Sequence, residues 1–211
     1  MRIAVIGGTG YAGAHIVNEA LARGHEVTSV ARSAPAEPIE GLRQVRASVL
    51  DTTAVAEAVR GSDAVVFSVP GRGEMSGKVR PAVSELLAAL DPGVRLGVIG
   101  GAGGSLVAPG GPRLIDGDFP EQARAEAEEA IGVLEDLQAD TTGRDWFYVH
   151  PAAGFGAWVP GERTGHYRVG GDVLVSDADG NSFISGADLA VAVLDELERP
   201  VHQRERFTVG Y

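Results

Sequence analysis

The glycines that follow the first apolar segment are the residues of this chain best suited to hold a ligand. Gly8, Gly10 and Gly13 have the spacing G-x-G-x-x-G, and Gly7, Gly10 and Gly13 have the looser spacing G-x-x-G-x-x-G. In such a turn one glycine makes the bend, one leaves room for a phosphate, and one lets the next helix pack on its strand. The helix N-terminus then offers free N–H groups and its positive dipole end. The pattern predicts a dinucleotide site formed by Gly7, Gly8, Thr9, Gly10, Tyr11, Ala12 and Gly13, with an empty Gly-rich turn as the alternative.

The residue at the end of the second predicted strand distinguishes the two forms of the dinucleotide. An acidic residue there would accept hydrogen bonds from the ribose hydroxyls and repel a 2′-phosphate. Here the strand ends in Arg32 and Ser33, about 20 residues after the last glycine, where this selector is expected. A guanidinium and a hydroxyl both donate hydrogen bonds to a phosphate. The sequence therefore predicts a preference for NADP(H) over NAD(H), with a solvated arginine as the alternative.

Residues at the carboxyl ends of the other predicted strands form the expected rim of the ligand crevice. In open parallel sheets, ligands bind outside these ends. Asp51 is predicted to cap the next helix and to border the adenine ring, two roles that do not exclude each other. The further cofactor contacts predicted along the rim are Leu50, Val69, Pro70, Gly71, Gly100, Gly101, Ala102 and Pro151.

The chain lacks the residue pair that short-chain dehydrogenases use for proton transfer, a tyrosine with a lysine four residues later. The only lysine is Lys78, and the residue four positions before it is Glu74. None of the four tyrosines, at positions 11, 148, 167 and 211, has a lysine in the required place. The sequence therefore argues against interconversion of alcohols and ketones by the usual route.

Strand-like and helix-like segments alternate from the first residue to about residue 151, as in a parallel sheet with helices on both faces. We predict one Rossmann-like α/β domain, a doubly wound parallel sheet spanning residues 1–211, with a small substrate-side elaboration in the Gly- and Asp-rich stretch 152–182. The predicted strands are 2–6, 26–31, 42–47, 63–69, 94–99, 145–149, 166–169, 173–175 and 207–209. The predicted helices are 15–22, 52–60, 78–90, 120–138 and 185–198, the last opened by a capping box of Ser185 and Asp188, and residues 33–40 and 106–118 are predicted loops.

Composition and charge narrow the classes of partner. The 211 residues carry a net charge of −11, which argues against nucleic acid and anionic membranes because both require clustered cations. The chain has no cysteine, so disulfides and thiolate chemistry are excluded, and no metal site is predicted. No apolar run approaches a membrane span and no leader precedes the first strand, so we expect a cytoplasmic protein. The sequence is also compatible with a homodimer.

Several motifs together resemble one family along essentially the whole chain. They are GGTGYAG at 7–13, GGAGGS at 100–105, DWFYVHP at 145–151, PGERTGHYR at 160–168 and RFTVGY at 206–211. This set is similar to the atypical short-chain dehydrogenase group, which includes NmrA-like proteins, the flavin reductase/biliverdin-IXβ reductase type, and bacterial NADH-flavin reductases named by similarity.

The resemblance implies hydride transfer from NADPH to a small conjugated acceptor such as a flavin, a quinone or a bilin, which needs little proton assistance. It places Ser105 where it could hydrogen-bond the acceptor, with a loop-capping hydroxyl as the alternative. His150 would lie near the nicotinamide as a candidate proton donor, although relatives are expected to have a small residue there. Residues 154–165 have the composition of a mobile lid. A non-catalytic redox sensor of the NmrA type and a cofactor-dependent epimerase are the rival functions.

Overall fold

A computed structural model describes residues 1–33 and 38–211, and these form one eight-stranded sheet flanked by five helices. Most of the loop predicted at 33–40 lies outside the described residues. The strands are Arg2–Ile6 (β1), Glu26–Ala31 (β2), Leu42–Arg46 (β3), Ala64–Phe67 (β4), Arg95–Ile99 (β5), Trp146–Pro151 (β6), Arg168–Val169 (β7) and Glu205–Gly210 (β8). The helices are Tyr11–Ala22 (α1), Thr52–Ala58 (α2), Val79–Ala89 (α3), Glu121–Ala139 (α4) and Gly186–Glu198 (α5).

The strand order is β3-β2-β1-β4-β5-β6-β8-β7, and all neighbours are parallel except β7 and β8. The chain starts in the middle of the sheet, winds outward through β2 and β3, and then returns to add β4, β5 and β6 on the other side of β1. This reversal creates a crevice outside the carboxyl ends of β1 and β4. The predicted doubly wound parallel sheet is confirmed.

Each face of the sheet has its own apolar core. On one face, α2, α3 and α4 cover side chains such as Phe67, Leu96 and Trp146. On the other face, α1 and α5 cover Ile3 and Phe147. Burying both faces explains why the central strands are almost continuously apolar.

Among residues 1–33 and 38–211, no helix has the length and hydrophobicity needed to cross a bilayer.

Strand β6 extends two residues beyond its predicted end at Val149 and ends at Pro151. Its pairing with β5 ends at Val149, while its pairing with β8 continues to Pro151. A proline can therefore occupy the strand end, where only one neighbour remains.

The predicted strand 173–175 is wrong, since Val173 makes only an isolated bridge to Leu106. The other predicted elements are present with ends shifted by a few residues.

Candidate dinucleotide and acceptor site

Three glycines of the N-terminal turn lie where a Cβ atom would collide with its surroundings. Gly7 has φ +83°, and a Cβ there would lie 2.6 Å from the carbonyl oxygen of Ser68. A Cβ on Gly13 would lie 2.1 Å from the carbonyl oxygen of Gly7, so Gly13 lets α1 approach β1 closely. A Cβ on Gly8 would lie 2.3 Å from the hydroxyl of Ser29 on β2. The bend is therefore made at Gly7, and the looser glycine spacing describes the geometry better.

Gly10 differs from these three glycines, because a Cβ there would have a single described atom within 4 Å. It is exposed and occupies the N-cap of α1, and the nearest atom to a Cβ there would be the carbonyl oxygen of Gly7, at 3.2 Å. Asp51 caps α2 and Ser185 caps α5 through their side-chain oxygens, but no side chain of the described residues caps α1. The N–H groups of the first turn of α1 therefore remain available to a ligand. An uncapped helix N-terminus behind an open glycine fits a pyrophosphate.

Arg32 and Ser33 are exposed at the carboxyl end of β2, and contact of these residues with the ribose or its phosphate stays a prediction. The Arg32 guanidinium forms an ion pair with Glu74, which lies in a 3₁₀ turn at Gly73–Met75, after β4. The backbone carbonyl of Arg32 accepts a hydrogen bond from Arg46 Nε at 3.0 Å, which holds the backbone in place independently of the side chain. No local sequence pattern indicates this partner, because Glu74 lies 42 residues further along the chain.

The next two positions of the rim come from the β3–α2 connection. The Asp51 carboxylate accepts a hydrogen bond from the backbone N–H of Ala54 at 3.0 Å, which confirms its predicted role as the N-cap of α2. Leu50, just before it, is 50% exposed. An exposed apolar side chain beside a helix N-cap is suited to contact a flat apolar face such as an adenine ring. Contact of Leu50 and Asp51 with adenine stays a prediction.

Val69, Pro70 and Gly71 leave β4 along the crevice, and an unpredicted residue of α4 holds the segment that follows. The Glu129 carboxylate accepts hydrogen bonds from the backbone N–H groups of Gly77 at 2.8 Å and Val79 at 2.6 Å. A Cβ on Gly71 would lie 2.7 Å from that carboxylate. Glu129 therefore caps α3 from a neighbouring helix. Nothing in the Ala/Glu-rich sequence of α4 distinguishes it from the other glutamates.

The Gly-rich turn after β5 is shaped mainly by packing. A Cβ on Gly100 would lie 1.9 Å from the hydroxyl oxygen of Tyr148, and a Cβ on Gly104 would lie 3.0 Å from His150 Cε1. Within this turn, Gly101 is the one glycine whose added Cβ would have no described atom within 4 Å. Of the predicted contacts Gly100, Gly101 and Ala102, Gly101 is therefore the one whose Cα faces open space.

His150 is placed differently from its prediction as a proton donor near the nicotinamide. His150 belongs to β6 and is 0% exposed. Its Nδ1 lies 2.7 Å from the carbonyl oxygen of Gly101. A carbonyl can only accept, so Nδ1 carries the proton in the neutral ring. Burial lowers the pKa of His150 to about 4, so the imidazole is neutral at physiological pH. The structure therefore gives His150 a packing role that holds the turn after β5.

Ser105 and Pro151 are also buried more deeply than their predicted contacts require. Ser105 is 0% exposed, and its hydroxyl oxygen has no hydrogen-bond partner among the described residues. Pro151 is the buried last residue of β6 and lies opposite Val209 of β8. A hydrogen bond from Ser105 to an acceptor is therefore not available in this arrangement. The exposed rim after β6 begins at Ala153 instead.

Tyr148, Tyr167 and Tyr211 have raised pKa values, whereas proton transfer at neutral pH would require a lowered one. Burial raises the pKa of Tyr148, whose hydroxyl donates to the carbonyl of Ala130 at 2.9 Å. Burial and the neighbouring Asp195 carboxylate raise the pKa of Tyr167. Burial and a hydrogen bond to Asp188 raise the pKa of Tyr211. These phenols donate hydrogen bonds within the fold and are not poised as acids or bases.

The segment 154–165, predicted to be a mobile lid, is anchored along its second half. The Tyr11 hydroxyl donates to the carbonyl of Pro160 at 3.2 Å, and the Arg163 guanidinium pairs with Glu19 at 2.9 Å. The backbone N–H of Thr164 donates to the carboxylate of Asp188 at 2.9 Å. These three contacts tie the second half of the segment to α1 and α5, and its mobility as a lid stays a prediction.

The predicted capping box at the start of α5 is only half formed, because the Asp188 carboxylate binds other groups. The Ser185 hydroxyl accepts from the backbone N–H of Asp188 at 3.0 Å, as expected. The Asp188 carboxylate does not return this bond but accepts from Thr164 and from the Tyr211 hydroxyl. The hydroxyl of Tyr211 takes the bond from the Ser185 N–H instead, at 3.3 Å. The last residue of the chain thus helps to anchor the segment beside the crevice.

Comparison with protein families identifies one match over nearly the whole chain. The sequence model of the NAD(P)H-binding family matches residues 7–200, which includes the glycine turn and all strands of the parallel sheet from β2 to β6. The matched region also contains Arg32 and the turn after β5.

Individual relatives match the chain along nearly its whole length. A Bacillus subtilis (strain 168) protein, "Uncharacterized protein YwnB", is 39% identical over 99% of this chain and 98% of its own length. The crystal structure of Streptococcus pneumoniae TIGR4 SP1627, called "a putative NADH-flavin reductase", has a TM-score of 0.89 at 31% identity, covering 100% of this chain and 99% of that one. A structure from Bacteroides thetaiotaomicron, called a "putative epimerase", has a TM-score of 0.88 at 36% identity, covering 100% and 96%.

Proposed function

The chain belongs to the NAD(P)H-binding family, and we propose that it is an NADPH-dependent reductase whose acceptor is a flavin, a quinone or a similar conjugated molecule. The observation that carries this proposal is the glycine turn, where an open Gly10 stands before the uncapped N-terminus of α1. The resemblance to SP1627 of S. pneumoniae supports the reductase class.

The residues of the crevice fit an extended dinucleotide. The amides that open α1 would hold the pyrophosphate, and Arg32 with Ser33 would hold a 2′-phosphate at the end of β2. Leu50 and Asp51 would border the adenine on the far side of Arg32. The nicotinamide half would then extend toward Gly101, whose Cα is open. We infer the preference for NADPH from Arg32, because a guanidinium adds donors for a phosphate and no acceptor for ribose hydroxyls.

The acceptor would lie between Gly101 and the turn that carries Trp158. Trp158 is 68% exposed, and the two ends of its turn rest on Tyr11, through the ring of Phe155 at 5.5 Å and the carbonyl of Pro160 at 3.2 Å. Because Tyr11 opens α1, this turn stands at the mouth of the crevice. An exposed indole there can stack on a flat conjugated ring.

The chain's contribution to the reaction would be positioning. When bound, a reduced nicotinamide supplies a hydride, and the acceptor gains two electrons and completes its reduction with a proton from water. The crevice would hold the two rings in contact and exclude part of the solvent, which can lower a barrier without any protein acid. The neutral His150 and the raised pKa values of Tyr148 and Tyr167 agree with a reaction that uses no protein proton donor.

A non-catalytic sensor of the redox state is the second candidate, and one observation favours it. The two predicted catalytic side chains, Ser105 and His150, are both 0% exposed, so neither can touch an acceptor in this arrangement. A sensor needs only the dinucleotide site and a surface that responds to its occupancy. The epimerase alternative is weaker, because the chain lacks the tyrosine–lysine pair that would return the proton when a hydride is returned to the substrate.

Turnover separates these functions. NADPH and NADH oxidation would be followed at 340 nm with FMN, FAD, a benzoquinone and biliverdin as acceptors, alongside calorimetric titration of each dinucleotide. We expect micromolar NADPH binding and oxidation with at least one acceptor. NADPH binding without oxidation by any acceptor would favour the sensor, and the lack of any dinucleotide binding would overturn the proposal as a whole.

A further inference from the structure

The ion pair between Arg32 and Glu74 lies across the adenosine half of the crevice. Arg32 follows β2 and Glu74 follows β4, and the strand between them in the sheet is β1. The pair therefore bridges the carboxyl end of β1, above the turn at Gly7–Gly10. Any dinucleotide whose pyrophosphate rests on that turn must place its adenosine ribose beside this bridge.

The two side chains orient each other without support from packing. Their exposed fractions are 65% for Arg32 and 80% for Glu74. The backbone of Arg32 is fixed by Arg46, whereas Glu74 stands on a three-residue 3₁₀ turn. An exposed pair of this kind is weak and screened by salt, so it can open readily when a stronger partner arrives.

We propose that Glu74 competes with the 2′-phosphate of the cofactor for Arg32 and thereby limits how strongly the protein prefers NADPH over NADH. The proposal rests on the proposed function, in which Arg32 reads the 2′-phosphate. A phosphate offers more charge and more acceptor oxygens than one carboxylate, so it displaces Glu74 from the guanidinium. The displaced carboxylate then remains close to the phosphate and repels it. NADH has only a hydroxyl at this place and experiences neither the gain nor the repulsion.

The substitution Glu74→Gln removes the competing charge and keeps the size of the side chain. We expect NADPH to bind about 3- to 10-fold more tightly, because losing an exposed pair contributes up to about 5-fold and losing the repulsion adds to it. NADH affinity should change less than about 2-fold. The gain for NADPH should shrink when the salt concentration is raised from about 0.05 M to 0.5 M, because screening weakens both effects.

A matched control is available on the same side of the molecule. Glu126 on α4 pairs with Arg72 at 3.6 Å, and Arg72 lies two residues before Glu74 in the sequence. Glu126→Gln therefore makes the same charge change next to the same segment. Calorimetric titration of NADPH and NADH would be run on both variants at both salt concentrations. Glu126→Gln should leave the ratio of the two affinities unchanged.

Arg32→Ala and the double variant with Glu74→Gln complete the design. If Glu74 acts through Arg32, Glu74→Gln should tighten NADPH less in the Arg32→Ala background than in the wild type, because only the direct repulsion is then left to lose, and equal tightening in both backgrounds overturns the competition. A Glu74→Gln variant that tightens both dinucleotides equally, or weakens NADPH, overturns the proposal. If Arg32→Ala weakens NADPH and NADH equally, the assignment of Arg32 in the proposed function is itself wrong. The two failures are therefore distinguishable.

Discussion

His150 offers the sharpest quantitative test of the structure, because a neutral histidine buried in a strand makes stability depend on pH. The ring is 0% exposed, Nδ1 donates to the carbonyl of Gly101, and Nε2 has no hydrogen-bond partner among the described residues. Adding a proton would place a charge at Nε2 with nothing to accept from it. This is why burial lowers the pKa of His150 to about 4 in the folded protein.

The sign of the effect follows from comparing the two states. In the unfolded chain the pKa of a histidine is about 6.5, above its folded value of about 4. Between these values the unfolded state binds more protons, so the free energy of unfolding falls as the pH falls. The contribution of His150 is fully present above pH 6.5 and is lost progressively toward pH 4. At about 1.4 kcal/mol for each pH unit, the loss is roughly 2 kcal/mol by pH 5.

The substitution His150→Asn isolates this contribution. The asparagine Nδ2 can take the place of the ring Nδ1 and donate to Gly101, but the amide does not titrate. Loss of the ring leaves a cavity, and its cost is independent of pH. Urea unfolding followed by circular dichroism at pH 7.5 and pH 5.0 would give the free energy of unfolding of each protein.

We expect the wild type to lose about 2 kcal/mol more than His150→Asn between these pH values. Buried carboxylates affect both proteins equally and act mainly at lower pH, so they cancel in the difference. His166, whose side chain is exposed, provides a control, and His166→Asn should follow the wild type. Equal losses in the wild type and His150→Asn would refute the neutral buried ring, and His150 would again be a candidate acid.

The remaining predictions concern glycines and a buried hydroxyl. Gly10→Val should abolish NADPH binding in calorimetry while the circular dichroism spectrum stays native, because φ is −76° and the added Cβ meets only the carbonyl of Gly7, at 3.2 Å. Gly117→Val, where an added Cβ would lie 3.7 Å from the carbonyl oxygen of Leu114, is the control and should bind normally, and unchanged NADPH affinity in Gly10→Val would remove the pyrophosphate from the turn. Gly100→Ala should lower the free energy of unfolding by about 3 kcal/mol or more, because its Cβ would overlap the Tyr148 hydroxyl, and an unchanged melting temperature would contradict that contact. Ser105→Ala should change stability by less than about 1 kcal/mol, since the buried hydroxyl has no hydrogen-bond partner among the described residues, and should slow turnover less than about 3-fold. A turnover loss of roughly 1,000-fold would show that Ser105 reaches the acceptor after all.

The sequence was most informative where the relevant interactions are local. The bend at Gly7, the close approach at Gly13 and the N-cap at Asp51 each depend on residues a few positions apart, so spacing alone predicts them. The same holds for the buried parallel strands, whose apolar runs are continuous because both faces are covered. The doubly wound sheet and the cofactor class follow from these features.

Only the tertiary structure decided which side chains meet across the sheet. Glu74 reaches Arg32 because the strand order places β1 between their strands, and Glu129 reaches the start of α3 because α4 packs beside it. The depth of His150 depends on β8 extending β6 past the end of β5, which no local pattern reveals. The anchors of the segment 154–165 lie on α1 and α5, far away in the sequence. Local sequence specifies the preferred backbone conformation and, through the spacing of apolar residues, which positions are buried. Ion pairs, pKa values and loop anchors depend on distances that only the folded chain creates.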